Sequence, residues 1–323
     1  MALRIHFTAR DLAHTRVTTG PDVMWELASS LHRLQAPRVA ERYRPWLRHV
    51  RGRLDRTHLR GVVRLLTTLV PRRGDFPDFL TPPGSSGFGE SLECVAATPA
   101  VRMRRELAAA FAAGRRPVPA WVRLLADGDR EARRDLLTAL AVYHRELLRP
   151  CLDEAREAVR GQRDVLGKHV LDGGLDQLLS SLSPSIRWTA PVLRADYPCE
   201  KELRLGGRGL TLVPSFFCCD SPVTFINPEL PPVLVYPAAG QSSRPQAPQS
   251  LAAVLGRTRA LAMRELLRPC STTELARRVG VSAGTASRHA AALRKAGLIT
   301  STRQGPAVMH VATPLGRELA ASG

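Results

Sequence analysis

The sequence contains no hydrophobic run long enough to span a membrane, and residues 1–7 lack the apolar centre of a secretory signal peptide. We therefore expect no contact with a membrane and a cytoplasmic location. Lysine is scarce, with three residues in 323, so arginine supplies nearly all of the formal net charge of +18. This usage, together with frequent alanine, glycine and proline, is typical of a GC-rich genome. Part of the positive charge is therefore compositional rather than functional.

Signatures of catalysis are lacking as well. Residues 161–169 contain the glycines and the lysine of a phosphate-binding loop, but one residue too many separates the glycines, and His169 replaces the hydroxyl that binds magnesium. Residues 84–88 fail the nucleophile-elbow pattern at its last position. His144 and Glu146 do not have the spacing of a zinc-protease motif. We therefore predict no catalytic residue, no metal and no cofactor.

Cysteine is infrequent, and a cytoplasmic protein keeps its cysteines reduced. The six cysteines are Cys94, Cys151, Cys199, Cys218, Cys219 and Cys270. Cys199, Cys218 and Cys219, with Asp220, have residue types that bind metals. Adjacent residues on a strand point to opposite faces, so Cys218 and Cys219 do not share one ion unless the strand ends there. We favour burial as small hydrophobic side chains and keep a metal or redox sensor as the alternative.

The most informative segment is formed by the last seventy residues. Ser271 and Glu274 have the spacing of a capping box that opens a helix, and Gly280 is suited to end it because glycine adopts the left-handed cap without a clash. Ser282 is suited to cap a second helix, predicted over residues 283–296. Two helices joined by so short a turn predict a helix-turn-helix, the motif that places its second helix in the major groove of DNA.

The two faces of the second helix can be separated by spacing. Ala286, Ala290 and Leu293 recur at i, i+4 and i+7 and are predicted to face the core. The remaining surface is small, polar and basic, which suits contact with base edges and phosphates. Arg288 has the forked geometry that recognises guanine, although a solvated surface arginine is the alternative. The predicted DNA-binding residues are Ser271, Thr272, Ser282, Gly284, Thr285, Ser287, Arg288, His289, Arg294, Lys295 and Arg303.

The elements around this motif predict a complete winged domain. Residues 298–303 and 308–312 form two short β-type runs joined by a Gly-Pro turn, which is the pattern of a wing. Thr313 and Pro314 predict the start of a final helix, because threonine caps helices and proline fits the first turn. Residues 257–267 form an amphipathic helix upstream. Some leucines exceed the needs of a small core and are candidates for a dimer seam: Leu255, Leu261, Leu266, Leu315 and Leu319.

This set of motifs resembles the ArsR/SmtB winged-helix transcriptional regulators. The matching segments are residues 256–259, 273–276, 281–289 and 293–298 and the short wing. The resemblance implies a homodimer on a palindromic operator, usually acting as a repressor. Metal-sensing members hold the metal through cysteines in the first helix of the motif or through Asp and His in the last helix. Residues 272–278 and 314–320 contain neither Cys nor His, so metal sensing at these places is not expected. The whole chain resembles long actinobacterial members that carry an extra N-terminal domain.

The chain is predicted to divide into two domains. Residues 237–249 are poor in large apolar residues and rich in Pro, Ser and Gln, and are predicted to link domains 1–236 and 250–323. From residue 251 onward, eleven Arg and Lys stand against three Glu, and this net charge of +8 favours binding to DNA phosphates. Residues 1–250 carry a net charge of +10, so they do not offset the positive charge of the C-terminal part.

The N-terminal domain is predicted to be helical first and β later. Helical patterns cover residues 21–34, 39–50, 55–70, 100–113, 129–149, 150–165 and 170–182. Short β-type runs follow at residues 186–188, 203–205, 210–213, 223–226 and 233–236, with residues 205–210 as a hairpin turn. The expected fold class is therefore mainly α with small β parts (α+β). A C-terminal winged helix-turn-helix is joined to a larger helical N-terminal domain with a short-stranded β region.

Together these patterns predict a sequence-specific, DNA-binding transcriptional regulator without enzymatic activity. We expect a dimeric repressor that binds double-stranded DNA through residues 283–296. The N-terminal domain is expected to dimerise, to bind a small-molecule effector, or both, although no residue set identifies a ligand. The alternative is an enzyme or partner-binding protein that uses the winged helix for protein contacts. The polar and basic face with Thr285, Arg288 and Lys295 favours DNA.

Overall fold

The computed structural model describes residues 1–37, 40–72, 75–84, 87–113, 116–218, 221–238, 255–304 and 307–321. The chain folds as two compact units, Met1–Gly240 and Gln241–Gly323. Helices predominate and the strands form small sheets, which confirms the predicted α+β class. None of the helices in these ranges has the length and apolar character that crossing a membrane requires.

The N-terminal unit contains nine α-helices among its described residues. They are α1 (Ala9–His14), α2 (Val23–Leu34), α3 (Arg44–Leu54), α4 (Thr57–Leu69), α5 (Phe88–Ala96), α6 (Ala100–Ala113), α7 (Ala120–Ala126), α8 (Arg130–Tyr143) and α9 (Leu152–Ser180). A π-helical turn, His144–Leu148, continues α8. Asp22 caps α2 by accepting the backbone N–H groups of Met24 at 3.0 Å and Trp25 at 3.2 Å, so this helix begins after the predicted Pro21.

Several helical predictions required correction. The pattern over residues 39–50 begins with a 3-10 turn, Glu41–Tyr43, and becomes an α-helix only at Arg44, because Pro45 fits the first turn. Helix α5 starts at Phe88, the last residue of the segment compared above with a nucleophile elbow. Two helices are predicted between residues 150 and 182, over 150–165 and 170–182, and α9 is indeed divided by a kink. The break lies at Gly173 and Gly174, which leave helical dihedral angles, and so falls later than predicted. The short helices α1, α5 and α7 carry too few apolar repeats for the pattern to indicate them.

Strands lie at both ends of the N-terminal unit, which corrects the expectation that β structure is confined to its second part. One mixed sheet has the order β3 (Ile186–Thr189), β4 (Val192–Asp196), β1 (Ala2–His6) and β5 (Lys201–Arg204). Strand β1 pairs antiparallel with β4 and parallel with β5. A second, parallel sheet has the order β2 (Arg16–Val17), β6 (Thr211–Ser215) and β7 (Val233–Pro237).

The segment 205–210 is not a hairpin turn, because the strands on either side of it belong to different sheets. Its glycines instead allow a close approach to α1. Gly209 has a φ of 73°, and a Cβ there would stand 2.4 Å from the His14 carbonyl oxygen. The Gly209 N–H donates to the buried Asp11 carboxylate at 3.0 Å. Burial opposes ionisation of Asp11, but the hydrogen bonds from Thr8 and the glycine segment lower its pKa overall.

The run over residues 223–226 also differs from its prediction as a strand, since it contributes a single bridge between Val223 and Val235. At the other end of β7, the fold continues into the segment predicted as a linker. Pro237 ends β7, and the N–H of the buried Ala238 donates to the Ser215 carbonyl oxygen at 2.8 Å. Most of the predicted linker lies outside the described residues, so its role remains a prediction.

A buried glutamate joins α2 to the turn after β6. Glu26 is 0% exposed, and its carboxylate accepts from the Phe216 N–H at 2.7 Å, the Phe217 N–H at 2.9 Å and the Ser215 hydroxyl at 2.9 Å. Burial raises the pKa of Glu26 to about 7, although these three donors oppose the rise. We call residues 215–218 the clamped turn, because polar side chains satisfy its backbone.

Three carbonyl groups of the clamped turn accept hydrogen bonds from side chains. Arg33, also on α2, donates to the carbonyl oxygens of Phe217 at 3.1 Å and Cys218 at 2.7 Å. The Tyr43 hydroxyl donates to the Phe216 carbonyl oxygen at 2.6 Å. Unpaired buried backbone groups are costly, so this network fixes a turn that would otherwise have to remain in contact with water.

The C-terminal unit is a separate small domain. It contains α10 (Arg257–Glu265), β8 (Cys270–Ser271), α11 (Thr272–Val279), α12 (Ala283–Lys295), β9 (Ile299–Gln304), β10 (Ala307–Ala312) and α13 (Pro314–Ala321). Its sheet has the order β8, β10, β9, with both pairings antiparallel. The predicted wing is confirmed as β9 and β10.

The core of the C-terminal unit uses some leucines that the sequence assigned to a dimer seam. Leu266 is fully buried, and Leu255 and Leu319 are partly buried against the same core. Leu261 and Leu315 are 50% and 57% exposed. Leu266, the residue that follows α10, is therefore a core residue.

Candidate DNA-binding interface

The first helix of the motif opens and closes where the sequence predicts. The Ser271 hydroxyl accepts the Glu274 N–H at 3.2 Å, and Gly280 ends the helix with a φ of 72°. The second hydrogen bond of the capping box, from the Ser271 N–H to the Glu274 carboxylate, was predicted wrongly. The Glu274 carboxylate instead accepts from Arg278 at 2.5 Å, one turn further along α11. An ionised partner at i+4 outcompetes a neutral backbone N–H for the carboxylate.

The second helix, α12, presents the predicted faces. Ser282 caps it by accepting the Thr285 N–H at 3.2 Å. Ala286, Ala290 and Leu293 are buried in the core of the unit. Because these three residues fix the rotation of the helix about its axis, the opposite side is presented to solvent.

A polar chain runs along this exposed side. The hydroxyl oxygens of Ser282 and Thr285 are 2.9 Å apart, and Arg288 Nη2 donates to Thr285 Oγ1 at 3.3 Å. The Arg288 side chain is exposed, so its remaining N–H donors are available to a ligand. The contact with Thr285 orients the guanidinium group along the helix, which reduces the freedom that Arg288 loses on binding.

The other predicted contacts on α12 are also accessible. Those that are exposed are Gly284, Ser287, Arg294 and Lys295. Apart from its chain neighbours and the backbone of its own helix, no described atom lies within 4 Å of the place where a Cβ would stand at Gly284, so this end of α12 permits close approach. His289 is half-buried; burial, and then the nearby Arg259 and Arg288, lower its pKa, which favours a neutral ring at pH 7. Arg303 is exposed on β9, near the end of the wing.

Ser271 and Thr272 are half-buried, and their hydroxyls have partners on the first helix of the motif and on the sheet. Ser271 caps α11, as described above, and pairs with Met309 across the sheet. Thr272 Oγ1 lies 2.9 Å from His310 Nε2. Their first role is to hold the start of α11 in place, and direct contact with DNA remains a prediction for both.

His310 is a residue that the sequence patterns did not single out. It is buried on β10, and its Nδ1 lies 2.8 Å from the Ser301 hydroxyl of β9. A neutral imidazole has one donor and one acceptor nitrogen, which matches the two hydroxyls of Ser301 and Thr272. Burial, and then Arg294, lower the pKa of His310 and favour this neutral form. His310 therefore connects the wing to the first helix of the motif, although no spacing signal indicates it.

The remaining candidate sites of the sequence do not assemble in the described residues. These ranges contain no group of three or more His, Cys, Asp and Glu side chains that could hold a metal ion. Cys218 is buried and Cys199 is exposed, whereas Cys219 and Asp220 lie outside the described residues. Residues 161–169 lie within α9, so they do not form a phosphate-binding loop.

Two short helices, a three-stranded antiparallel sheet and a wing define a winged helix-turn-helix, a class of DNA-binding domain. Residues 259–301 match the family described as bacterial regulatory protein, arsR family. No curated protein and no solved structure matches the chain. The C-terminal unit therefore carries an ArsR-type helix-turn-helix, the domain of a DNA-binding transcriptional regulator. The N-terminal unit is a region additional to this domain.

Proposed function

We propose that the chain is a dimeric transcriptional repressor that places residues 283–296 in the major groove of a pseudo-palindromic operator. The observation that carries this proposal is the exposed face of α12, where Ser282, Thr285 and Arg288 form a polar chain beside an open, glycine-containing helix start. Such a face suits contact with base edges, whereas a protein-contact module is expected to expose apolar side chains.

The direct test is to map the chromosomal sites that the tagged chain protects. We expect one recurring motif with two-fold symmetry and half-sites about 10 base pairs apart, because a dimer meets the same groove once per helical turn. Transcription of the adjacent genes should rise when the chain is deleted. Recovery of protein partners without enrichment of any DNA motif would instead support the alternative of a protein-contact module.

Exposed leucines support a dimer seam on the C-terminal unit. Leu261 on α10 and Leu315 on α13 are both at least half exposed, and the two helices approach each other where Met263 meets Gly316. Large apolar residues on neighbouring helices are common in interfaces between subunits. A second copy of the same surface is the partner that a two-fold symmetric operator requires.

The double variant Leu261→Glu/Leu315→Glu is expected to be monomeric. Each leucine contributes about 1.5–3 kcal/mol when buried, so loss of both should weaken the dimer by at least about 3 kcal/mol. Sedimentation velocity of the intact chain measures the result. Val101→Glu is the matched control, because Val101 is 79% exposed in the N-terminal unit and its variant should stay dimeric. A wild-type chain that is monomeric at every concentration would contradict the seam.

The proposal also includes a small-molecule effector of the N-terminal unit. A cavity of about 110 Å³ lies between β5 and residues 224–232 and is lined by Lys201, Thr224 and Phe225 among others. Binding sites for drug-sized ligands are about 300–1,000 Å³. A small-molecule effector would therefore have to enlarge this cavity or bind elsewhere.

Metal ions are not expected to regulate the protein. Residues 272–278 and 314–320, where metal-sensing relatives hold their ligands, contain neither Cys nor His. Zinc, cadmium or arsenite should therefore leave the apparent Kd for the operator unchanged within about twofold, measured by fluorescence anisotropy. Release by a metal that is abolished in a Cys218→Ser/Cys219→Ser variant would show that the cysteine pair is a sensor.

A further inference from the structure

The positive charge of the N-terminal unit is concentrated in one segment. Residues 41–64 contain eight arginines and two acidic residues, a net charge of +6, whereas residues 1–250 as a whole carry +10. Compositional bias toward arginine would spread the charge evenly along the chain. We call the exposed part of this segment, on α3 and α4, the arginine surface.

The arginines of α3 and α4 recur at helical spacing on the sides that face solvent. On α3, Arg44, Arg48 and Arg51 follow i, i+4, i+7 and are exposed, while Trp46 and Val50 are buried. The second stripe, Arg56, Arg60 and Arg64, follows i, i+4, i+8 into α4 and is also exposed. Each stripe is about 10–12 Å long at 1.5 Å per residue.

Contacts bring the two stripes and the turn after α8 together. Arg60 Nε donates to the Leu54 carbonyl oxygen at 2.6 Å, which places α4's stripe against the end of α3. Glu146, in the His144–Leu148 turn, accepts from Arg53 at 2.6 Å and from Arg145 at 3.0 Å. The hydrogen bond from Arg145 lowers the pKa of Glu146, although desolvation partly opposes this effect. The positive charges of Arg53 and Arg56 lower the pKa further. One carboxylate is therefore shared by two guanidinium groups, those of Arg53 and Arg145.

Few counter-ions neutralise the arginine surface. Arg44 pairs with Glu41 at 3.2 Å, and Arg60 lies 3.9 Å from Asp55. Within the described part of the chain, four further arginines have no carboxylate oxygen within 4.0 Å: Arg48, Arg51, Arg56 and Arg64. Their charges repel one another along each helix, and Arg56 stands at the N-terminal end of α4, where the helix dipole disfavours a cation. Fold stability does not explain this arrangement.

We propose that the arginine surface binds the phosphate backbone of duplex DNA and adds sequence-independent affinity to the operator contacts of α12. The guanidinium fork matches phosphate oxygens, and a duplex presents about six phosphates over the length of one stripe. The inference rests on the proposed function, because both assign DNA as the partner. The inference concerns phosphate contacts of the N-terminal unit, whereas the proposed function concerns operator contacts of α12 in the C-terminal unit.

Two observations favour duplex DNA over other polyanions. Single-stranded nucleic acid is bound by stacking on aromatic side chains, but Tyr43 and Trp46, the aromatic residues of this segment, are buried. Binding to an anionic membrane uses exposed large apolar residues beside the basic ones. None of the exposed large hydrophobic residues in the described part of the chain lies on α3 or α4.

The test compares the intact wild-type chain with the variant Arg48→Gln/Arg51→Gln/Arg56→Gln/Arg64→Gln. The matched control, Arg105→Gln/Arg123→Gln/Arg130→Gln/Arg134→Gln, removes four exposed arginines from α6, α7 and α8, so the change in net charge is identical. Affinity for an operator duplex and a random duplex is measured between 0.05 and 0.3 M salt, which spans the range where counterion release is about linear. Circular dichroism monitors folding, and lysine at the same four positions restores the charge.

We expect the glutamine variant to lose affinity for both duplexes by about fivefold per lost phosphate contact at 0.15 M salt, with a shallower salt slope. Discrimination between the duplexes should stay unchanged, and the control and the lysine variant should bind like the wild type. Equal binding by the glutamine variant and the control would overturn the inference and leave the proposed function intact. A wild type that binds no duplex DNA would overturn both. Binding to anionic vesicles or to single strands, with no contribution of these arginines to duplex affinity, would also overturn it.

Discussion

Replacing Arg288 with alanine is expected to weaken binding to the operator by about 1–3 kcal/mol and to relax discrimination at one base pair. The reason is that a bidentate arginine contact satisfies two acceptors of one guanine, and alanine leaves both unpaired. Arg288 is held by Thr285 at 3.3 Å, so Thr285→Ala should show a weaker form of the same effect. Competition assays with single base-pair substitutions of the operator measure the discrimination.

Lys295→Ala is the matched comparison, because Lys295 is the last residue of the same helix and is also exposed. We expect it to weaken operator and random DNA to a similar extent and to reduce the salt slope by about one, as loss of a phosphate contact does. Identical behaviour of the Arg288→Ala and Lys295→Ala proteins on both DNAs would show that the assignment of base and phosphate contacts is wrong.

Replacing Glu26 with alanine is expected to lower the free energy of unfolding of the N-terminal unit by about 3–5 kcal/mol. The change removes the acceptor for two backbone N–H groups and one hydroxyl of the clamped turn, all of which stay buried. All four tryptophans lie in residues 1–188, so tryptophan fluorescence during urea unfolding reports on this unit alone. Glu93→Ala, at an exposed position on α5, should change stability by no more than about 0.5 kcal/mol.

The contribution of Glu26 should also depend on pH. Burial raises its pKa from 4.5 to about 7, so between these values the folded unit binds more protons than the unfolded chain. Glu26 makes its full contribution to the free energy of unfolding below pH 4.5, and this contribution is lost as the pH rises from 4.5 to about 7. The advantage of the wild type over Glu26→Gln should therefore be smaller at pH 7.5 than at pH 5. An advantage that grows with pH would show that the carboxylate form is the preferred one in the folded unit.

The C-terminal unit could be predicted in detail because its determinants are local. Ser271, Gly280 and Ser282 act within one helical turn of their own position, and Ala286 shows its inward direction by spacing alone. The wing follows in the same way from its short β-type runs. The interpretation of Glu274 as half of a capping box was wrong because two local partners competed for it, and Arg278 carries the full charge.

The N-terminal unit could be predicted only in outline, because its decisive contacts join distant parts of the chain. Strand β1 pairs with residues about 190 positions away, and nothing within Ala2–His6 indicates that it pairs there. Glu26 and Arg33 are charged residues at buried positions of α2, and such residues are a signal of a network. The signal does not identify the partner, which lies near residue 216.

The central place of β1 also bears on how the chain is made. Its two neighbours, β4 and β5, are translated almost two hundred residues later, which at about 5–20 residues per second is roughly ten to forty seconds. During this interval the strand has no partner on either side, and the closing step then joins the most distant segments of the unit, an entropically slow event. A nascent chain that stops anywhere before residue 192 is therefore left with an open strand edge, a surface on which chaperones act and aggregation begins.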